Sequence, residues 1–198
     1  MASRKYSMEH RTAMAARTRE RILDAALVCY RERGIGATSL QAVARQAEVS
    51  AATILNHFGA ADELARVVVG QLAQTLQVPD DSDWAEPGRT PRVRRLVQEM
   101  FAFYDRSTPW FEIFRAELGV DPVLREGEAA FWQAIQDLYR RVFGDALYDP
   151  HVRGAVFGLT HPATVAALWA SGLTSEGGAE LIADTLIRTL DQWEGQQR

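Results

Sequence analysis

Apolar residues recur at a spacing of three or four positions along most of this 198-residue chain. That spacing places their side chains on one face of an α-helix. No convincing stretch alternates β-branched with polar residues, the pattern that is typical of a half-buried strand. The sequence therefore predicts an all-α protein, long enough for one large core or for a small domain joined to a larger one.

The first predicted helix covers about residues 13–33 and is followed by Gly34, which suits the left-handed conformation found beyond a helix terminus. A second, short helix should follow closely. Thr38 and Gln41 have the T-x-x-Q spacing of a capping box, which predicts that this helix begins at Thr38.

A third helix is predicted from Ala51 to about Phe58, because Ser50 is a good N-cap residue. Only the short turn 48–50 separates it from the second helix. Two short helices that are joined by a tight turn and braced by a longer helix form a helix-turn-helix, whose second short helix enters the major groove of DNA. The outward face of that helix carries small or polar residues: Ala51, Ala52, Thr53, Asn56 and His57.

The remainder of the chain also has helical periodicity, interrupted by an acidic loop over residues 79–91. Helices are predicted over about 61–76, over 93–104, after Pro109, and over 123–143, 150–171 and 178–194. Because Pro162 has no backbone donor, the helix over 150–171 should kink or split near His161.

Charge is distributed unevenly along the chain, although the net charge is only -4. Residues 1–66 contain 10 Lys and Arg against 7 Asp and Glu, whereas residues 67–198 contain 12 against 19. A basic N-terminal segment followed by an acidic remainder fits a DNA-binding protein that has a separate domain for another partner. The alternative is a solvated, charged tail with no such role.

The run from Thr38 to Phe58, followed by Asp62-Glu63-Leu64, resembles the DNA-binding motif of the TetR family of bacterial transcriptional regulators. Residues 21–26 and Arg33-Gly34 are similar to the first helix of that family. The resemblance implies an N-terminal three-helix helix-turn-helix domain and a C-terminal helical bundle for ligand binding and dimerisation. The expected parts are a basic arm with the start of the first helix at 1–18, the DNA-binding domain at 19–65, and the helical bundle at 66–198.

Three positions depart from the family pattern. The family commonly has Gly where this chain has Glu48, Tyr where it has Leu55, and Lys where it has Ala61. The Tyr and Lys typically hold DNA phosphates, and their absence removes contacts that fix the position of the protein on the duplex. Compensating contacts are expected from basic residues of the N-terminal arm, unless the arm is a disordered or expression-derived leader: Arg4, Lys5, Arg11 and Arg17.

The family pattern also implies which residues meet the operator. The full expected set is Thr38, Ser39, Arg45, Ser50, Ala51, Ala52, Thr53, Asn56 and His57, with the four basic residues of the arm. Thr38 and Ser50 would satisfy helix ends and touch phosphates, and Asn56 could pair with adenine. Ala51 or Ala52 could meet a thymine methyl group. His57 could instead cap local backbone or pack beside Phe58.

The resemblance further implies a homodimer and a small-molecule effector that is hydrophobic or aromatic. The expected dimer interface lies on the last two helices, although part of it could be intrachain core: Val165, Leu168, Trp169, Leu181, Ile182, Leu186 and Leu190. Aromatic residues at helical spacing are more often core than pocket, so only those with a polar group or near a break are assigned to the ligand: Tyr104, Trp110, Phe114, Trp132 and His161.

The sequence gives little support for other classes of protein. The single cysteine excludes a disulfide scaffold, and the lack of a 20-residue apolar run predicts a cytoplasmic protein without membrane contact. No nucleophile elbow, phosphate-binding loop or dinucleotide fingerprint is present, and His151 and His161 lack metal-ligand spacing. We therefore expect no catalytic residue, metal or cofactor. An enzyme remains one alternative, and an interaction module that has lost DNA binding is another.

Overall fold

A computed structural model describes residues 2–197, and the side chains of residues 10–197. Within this range the chain forms α-helices, one 3-10 turn at 144–148, and connecting segments, without a strand, which confirms the predicted fold class. The helices are α1 (Ala2–Arg33), α2 (Leu40–Gln46), α3 (Ala51–Phe58), α4 (Ala61–Leu76), α5 (Arg89–Phe114), α6 (Pro122–Phe143), α7 (Pro150–Leu159), α8 (Pro162–Ala170) and α9 (Ser175–Gln196).

The chain divides into two compact units. The first unit contains residues 1–75 and 109–128, and the second contains residues 76–108 and 129–198. α5 and α6 each belong partly to both, and α5 passes from the second unit to the first between Thr108 and Pro109. The first unit thus extends beyond the 19–65 expected from the sequence, because side chains of the 109–128 segment complete its core.

The core of the first unit is apolar and continuous. It includes Ile22, Val43 and Ile54 from α1, α2 and α3, together with Leu64 from α4. Phe114, Val123 and Leu124 come from the 109–128 segment and are buried in the same cluster. The helix-turn-helix is therefore supported on one side by residues that lie far away in the sequence.

α1 begins at Ala2 rather than near residue 13. The basic stretch that was expected to be an arm is therefore the first part of a long helix, and Arg11 and Arg17 lie on it as exposed residues. The side chains of Arg4 and Lys5 lie outside those that the structure describes. Whether this part of α1 meets DNA stays a prediction.

The second unit packs parts of α5 and α6 with α7, α8 and α9. α5 continues through Pro109, where the sequence predicted two separate helices. A proline inside a helix removes one backbone hydrogen bond. Just before it, the hydroxyl of Thr108 donates to the carbonyl of Tyr104 at 2.7 Å and that of Ser107 does so at 3.3 Å. The predicted split near His161 is confirmed, since α7 ends at Leu159 and α8 begins at Pro162.

Four of the residues assigned to the dimer interface are buried within their own chain. Val165, Ile182, Leu186 and Leu190 are at most 4% exposed and belong to the core of the second unit. Their assignment to an intermolecular surface is wrong, because a buried side chain has no area left for a partner. Leu181 is 46% exposed, and Leu168 and Trp169 are partly buried.

Among the helices that the structure describes, none is both long and apolar enough to cross a membrane. Nor do the described residues contain a group of three or more His, Cys, Asp or Glu side chains arranged to hold a metal ion.

Candidate nucleic-acid interface and effector site

The N-terminus of α2 is capped by Ser39. Its hydroxyl accepts a hydrogen bond from the backbone N–H of Ala42 at 3.2 Å. The prediction that α2 begins at Thr38 is wrong by two residues, and Thr38 has a different role: its hydroxyl donates to the carbonyl of Gly34 at 2.6 Å. The Thr38 hydroxyl thus binds the residue that follows α1, and the exposed Ser39 supplies the hydroxyl group that caps α2.

The N-terminus of α3 is capped by Ser50, as predicted. The Ser50 hydroxyl accepts from the backbone N–H of Thr53 at 3.0 Å and lies 2.8 Å from the Thr53 hydroxyl. Ile54 and Phe58 on the opposite side are buried in the first unit's core. These contacts fix both the start of α3 and the face that it turns inward.

The outward face of α3 is formed by Ala52, Leu55 and Asn56, which are exposed. Ala51, Thr53 and His57 are half-buried beside them, and the His57 ring lies 6.3 Å from the Phe58 ring. Arg45, at the other end of α2 from Ser39, is exposed. The structure therefore brings the predicted DNA-contacting residues of α2 and α3 onto one small domain.

Arg19 is a residue that the sequence did not single out. Its guanidinium lies 4.8 Å from the centre of the Phe58 ring, so that it covers the last buried residue of α3 from the side of α1. Cation–π contacts of this kind favour arginine over an aromatic face. Arg19 lies three positions before the buried Ile22 of α1, and nothing in that spacing indicates a contact with an aromatic ring of α3.

Glu48 lies in the turn between α2 and α3 with a φ of 54°. A side chain in this left-handed region clashes with its own backbone, which is why a turn of this shape favours glycine. The Glu48 side chain is exposed, and among residues 10–197 it has no hydrogen bond or ion pair. The departure from the family pattern at this position therefore costs stability without a compensating contact within the described chain.

We predict that Glu48→Gly raises the free energy of unfolding by about 0.5 to 1 kcal/mol, since glycine adopts this φ without strain but loses more entropy on folding. Urea denaturation would measure the change. Glu48→Ala is the matched control, because it removes the charge but keeps the Cβ atom. A gain of equal size in both variants would assign the effect to charge and contradict the strain argument.

A hydrogen-bonded group of polar side chains is buried in the second unit where α7 ends. The Tyr104 hydroxyl donates to the carbonyl of Thr160 at 3.0 Å, and the Tyr139 hydroxyl lies 2.5 Å from the Thr160 hydroxyl. The Thr160 hydroxyl itself donates to the carbonyl of Val156 at 2.7 Å, so it accepts from Tyr139. Burial raises the pKa of Tyr139 to about 12 and raises that of Tyr104 as well.

Aromatic rings lie next to this polar group. The Trp132 ring is stacked on His161 with centroids 6.3 Å apart, and the Phe103 ring is stacked on Phe131 at 5.0 Å. Phe131 and Trp132 meet edge to face at 5.1 Å. Three of the five predicted ligand residues, Tyr104, Trp132 and His161, thus lie in or beside the same part of the second unit.

The other two predicted ligand residues, Trp110 and Phe114, belong to the first unit. Their rings stack on each other at 6.1 Å, and Arg31 of α1 lies 5.9 Å from the Trp110 ring centre. Four residues near Tyr104 were not assigned to the ligand from the sequence: Phe103, Phe131, Tyr139 and Thr160. Tyr139 is an aromatic residue with a polar group and so met the criterion used to choose ligand residues from the sequence. Thr160 is not aromatic, and nothing in the sequence indicates that it lies beside the two tyrosines.

Residues 22–68 match the family model for bacterial regulatory proteins of the tetR family. The match spans the second part of α1, all of α2 and α3, and the first half of α4. The chain carries a TetR-family DNA-binding domain. The resemblance predicted from residues 38–58 is thereby confirmed, and the capped α2 and α3 are the helix-turn-helix of that domain.

Solved structures of a TetR-like regulator, a repressor and a multidrug binding protein share the fold over most of the chain. A TetR-like transcriptional regulator from Rhodococcus sp. RHA1 is 19% identical with a TM-score of 0.59, over 88% of this chain and 96% of that one. NalD, the secondary repressor of the MexAB-OprM multidrug efflux pump in Pseudomonas aeruginosa, is 23% identical with a TM-score of 0.53, over 88% and 96%. The multidrug binding protein EbrR, complexed with imidazole, is 21% identical with a TM-score of 0.55, over 86% and 88%. No curated protein sequence matches the chain.

Proposed function

We propose that this chain is a ligand-responsive transcriptional repressor that binds operator DNA as a homodimer and is released by a small hydrophobic or aromatic molecule. The observation that carries the proposal is the geometry of α3. Ser50 caps its start, Ile54 and Phe58 fix its inner face, and Asn56 lies exposed on its outer face. That arrangement allows a recognition helix to lie in the major groove.

The DNA contacts that we propose follow from exposure and chemistry. Ser39, Ser50 and Arg45 would meet phosphates, and Asn56 would pair with the N6 and N7 atoms of adenine. Ala52 is exposed and small enough to meet a thymine methyl group. Smaller contributions are proposed for the half-buried residues and for the basic part of α1: Ala51, Thr53, His57, Arg11 and Arg17.

The homodimer is proposed because one recognition helix covers few base pairs, so a two-fold pair is needed to read an operator. Of the residues expected at the interface, Leu168, Trp169 and Leu181 retain exposed area. We place the interface on the outward sides of α8 and α9, where these three residues lie.

The effector is proposed to bind near Tyr104, Trp132 and His161. Rings that stack in pairs offer flat apolar surface, and buried hydroxyl groups nearby can orient a ligand. The similarity in fold to a multidrug binding protein and to a repressor of an efflux pump supports a ligand of this class.

The proposal is tested with the full chain by selecting duplexes from a randomised DNA library and then titrating the enriched duplex at several salt concentrations. We expect one two-fold symmetric sequence to be enriched, with affinity that falls as salt rises. A panel of neutral, cationic and anionic aromatic molecules is then added to the complex, and at least one should release the DNA. If no sequence is enriched, the alternative of an interaction module without DNA binding is favoured.

We predict that Leu55→Tyr combined with Ala61→Lys strengthens binding to the enriched duplex about tenfold, because both changes supply phosphate contacts that this chain lacks. Leu55 is 43% exposed on α3, and Ala61 is exposed at the start of α4. One added lysine in each subunit should steepen the slope of log affinity against log salt by about 2. The controls are Leu55→Phe, which has no hydroxyl, and Ala73→Lys near the far end of α4. If the control variants gain as much DNA affinity, the added Tyr hydroxyl and Lys side chain do not act through specific phosphate contacts.

A further inference from the structure

Glu117 lies in the connection between α5 and α6 and accepts two hydrogen bonds from the turn between α1 and α2. Its Oε2 accepts from the backbone N–H of Ile35 at 2.8 Å, and its Oε1 accepts from that of Gly36 at 2.9 Å. One carboxylate thus binds two successive amides that lie more than 80 residues away in the sequence. Hydrogen bonds to an ionised group are stronger than those between neutral groups.

The turn has room for the carboxylate because two of its residues are glycine. A Cβ atom on Gly34 would lie 2.6 Å from the Glu117 Oε1, and one on Gly36 would lie 3.1 Å from it. Gly34 also has a φ of 82°, a conformation that favours glycine. Within residues 10–197, no Lys or Arg forms an ion pair with Glu117, so the two amides are the partners of its charge.

The connection that carries Glu117 is itself well ordered by hydrogen bonds. The Glu117 carbonyl accepts from the N–H groups of Val120 and Asp121 at 3.0 and 2.9 Å. Asp121 then caps α6 by accepting from the N–H groups of Val123 and Leu124. These hydrogen bonds therefore hold Glu117 in a fixed position in the connection between α5 and α6.

The turn that Glu117 holds leads directly into the DNA-contacting part of the domain. The carbonyl of Gly34 accepts from the Thr38 hydroxyl, and the carbonyl of Ile35 accepts from the Thr38 N–H at 3.0 Å. Ser39, the cap of α2, is the next residue. These hydrogen bonds thus join the turn directly to the residue before the cap of α2.

We propose that Glu117 is a positioning residue for DNA binding, because its carboxylate holds the α1–α2 turn in the conformation that presents Ser39 and α2 to the operator. This inference rests on the proposed function. α5 and α6 continue into the second unit, so the residue that holds the turn is joined covalently to both ends of the proposed sensing region.

The main variant is Glu117→Gln, which keeps the size of the side chain but has one acceptor oxygen instead of two and no charge. We expect it to bind the duplex that wild type selects about tenfold more weakly at a temperature well below its melting point. Amide hydrogen exchange of Ile35 and Gly36 should be faster than in wild type. Glu112→Gln is the control, since Glu112 is exposed on α5 and pairs with Arg115.

Gly36→Ala perturbs the same contact from the other side, because its Cβ would crowd Oε1. It should also weaken DNA binding, and the double variant should lose little more than either single variant. If Glu117→Gln does not fold, Gly36→Ala with the exchange measurement decides the matter. Full DNA affinity in a variant whose Ile35 and Gly36 amides exchange rapidly would overturn the inference. A wild-type chain that selects no duplex would instead contradict the proposed function.

Discussion

Asn56→Ala is expected to weaken binding to the selected duplex by about 1 to 3 kcal/mol and to relax the preference at one base pair of each half-site. The amide of Asn56 is exposed on the outer face of α3 and can both donate to and accept from an adenine edge. Because the side chain is exposed, the free energy of unfolding should hardly change. Fluorescence titrations with the selected duplex and with single-base variants of it would measure both effects.

The control for Asn56→Ala is Gln46→Ala, which removes an exposed amide at the end of α2 that is not among the proposed contacts. Its affinity and sequence preference should equal those of wild type. If Asn56→Ala loses affinity for all duplexes alike, Asn56 contacts the backbone and not a base. Unchanged affinity and preference would remove Asn56 from the interface.

Thr160→Val is expected to lower the free energy of unfolding by about 1 to 3 kcal/mol. Thr160 is 2% exposed, and its hydroxyl is the acceptor for the buried Tyr139 hydroxyl. Valine has a similar shape but cannot accept, so Tyr139 would keep an unpaired hydroxyl in an apolar environment. Urea denaturation followed by circular dichroism would give the difference.

Tyr139→Phe provides the second arm of a double-mutant cycle. Alone it should cost less, because the Thr160 hydroxyl still donates to the carbonyl of Val156. In the double variant both partners are apolar, and the loss should be smaller than the sum of the single losses. Thr189→Val is the control, since the Thr189 hydroxyl donates to the carbonyl of Thr185 within its own helix. If the loss in the double variant equals the sum of the two single losses, the Tyr139 and Thr160 hydroxyls stabilise the fold independently of each other.

The parts of the fold that the sequence predicted well are those set by local interactions. Ser50 caps α3 through a hydrogen bond to a residue three positions away, and Gly34 follows α1 with a positive φ. Such features depend on neighbouring residues alone. Thr38 and Ser39 show the limit of this reasoning, because both can cap a helix and only the folded turn gives Thr38 another acceptor.

The parts that the sequence predicted poorly depend on contacts between distant residues. An apolar stripe on α9 indicates that one face is buried, but not whether its own chain or a second subunit covers it. Ile182, Leu186 and Leu190 are covered by their own chain. Likewise, Trp110 and Phe114 have the composition of a ligand pocket, yet they pack in the first unit with residues of α1.

The discontinuous course of the first unit has a consequence for how the protein is made. Its core includes Phe114, Val123 and Leu124, which follow the helix-turn-helix by more than fifty residues in the sequence. During synthesis the helices α1 to α4 leave the ribosome before the side chains that complete their core exist. The DNA-binding domain therefore cannot reach its final packing until the chain has been translated through residue 128, by which time all of α5 and the start of α6 have also been made.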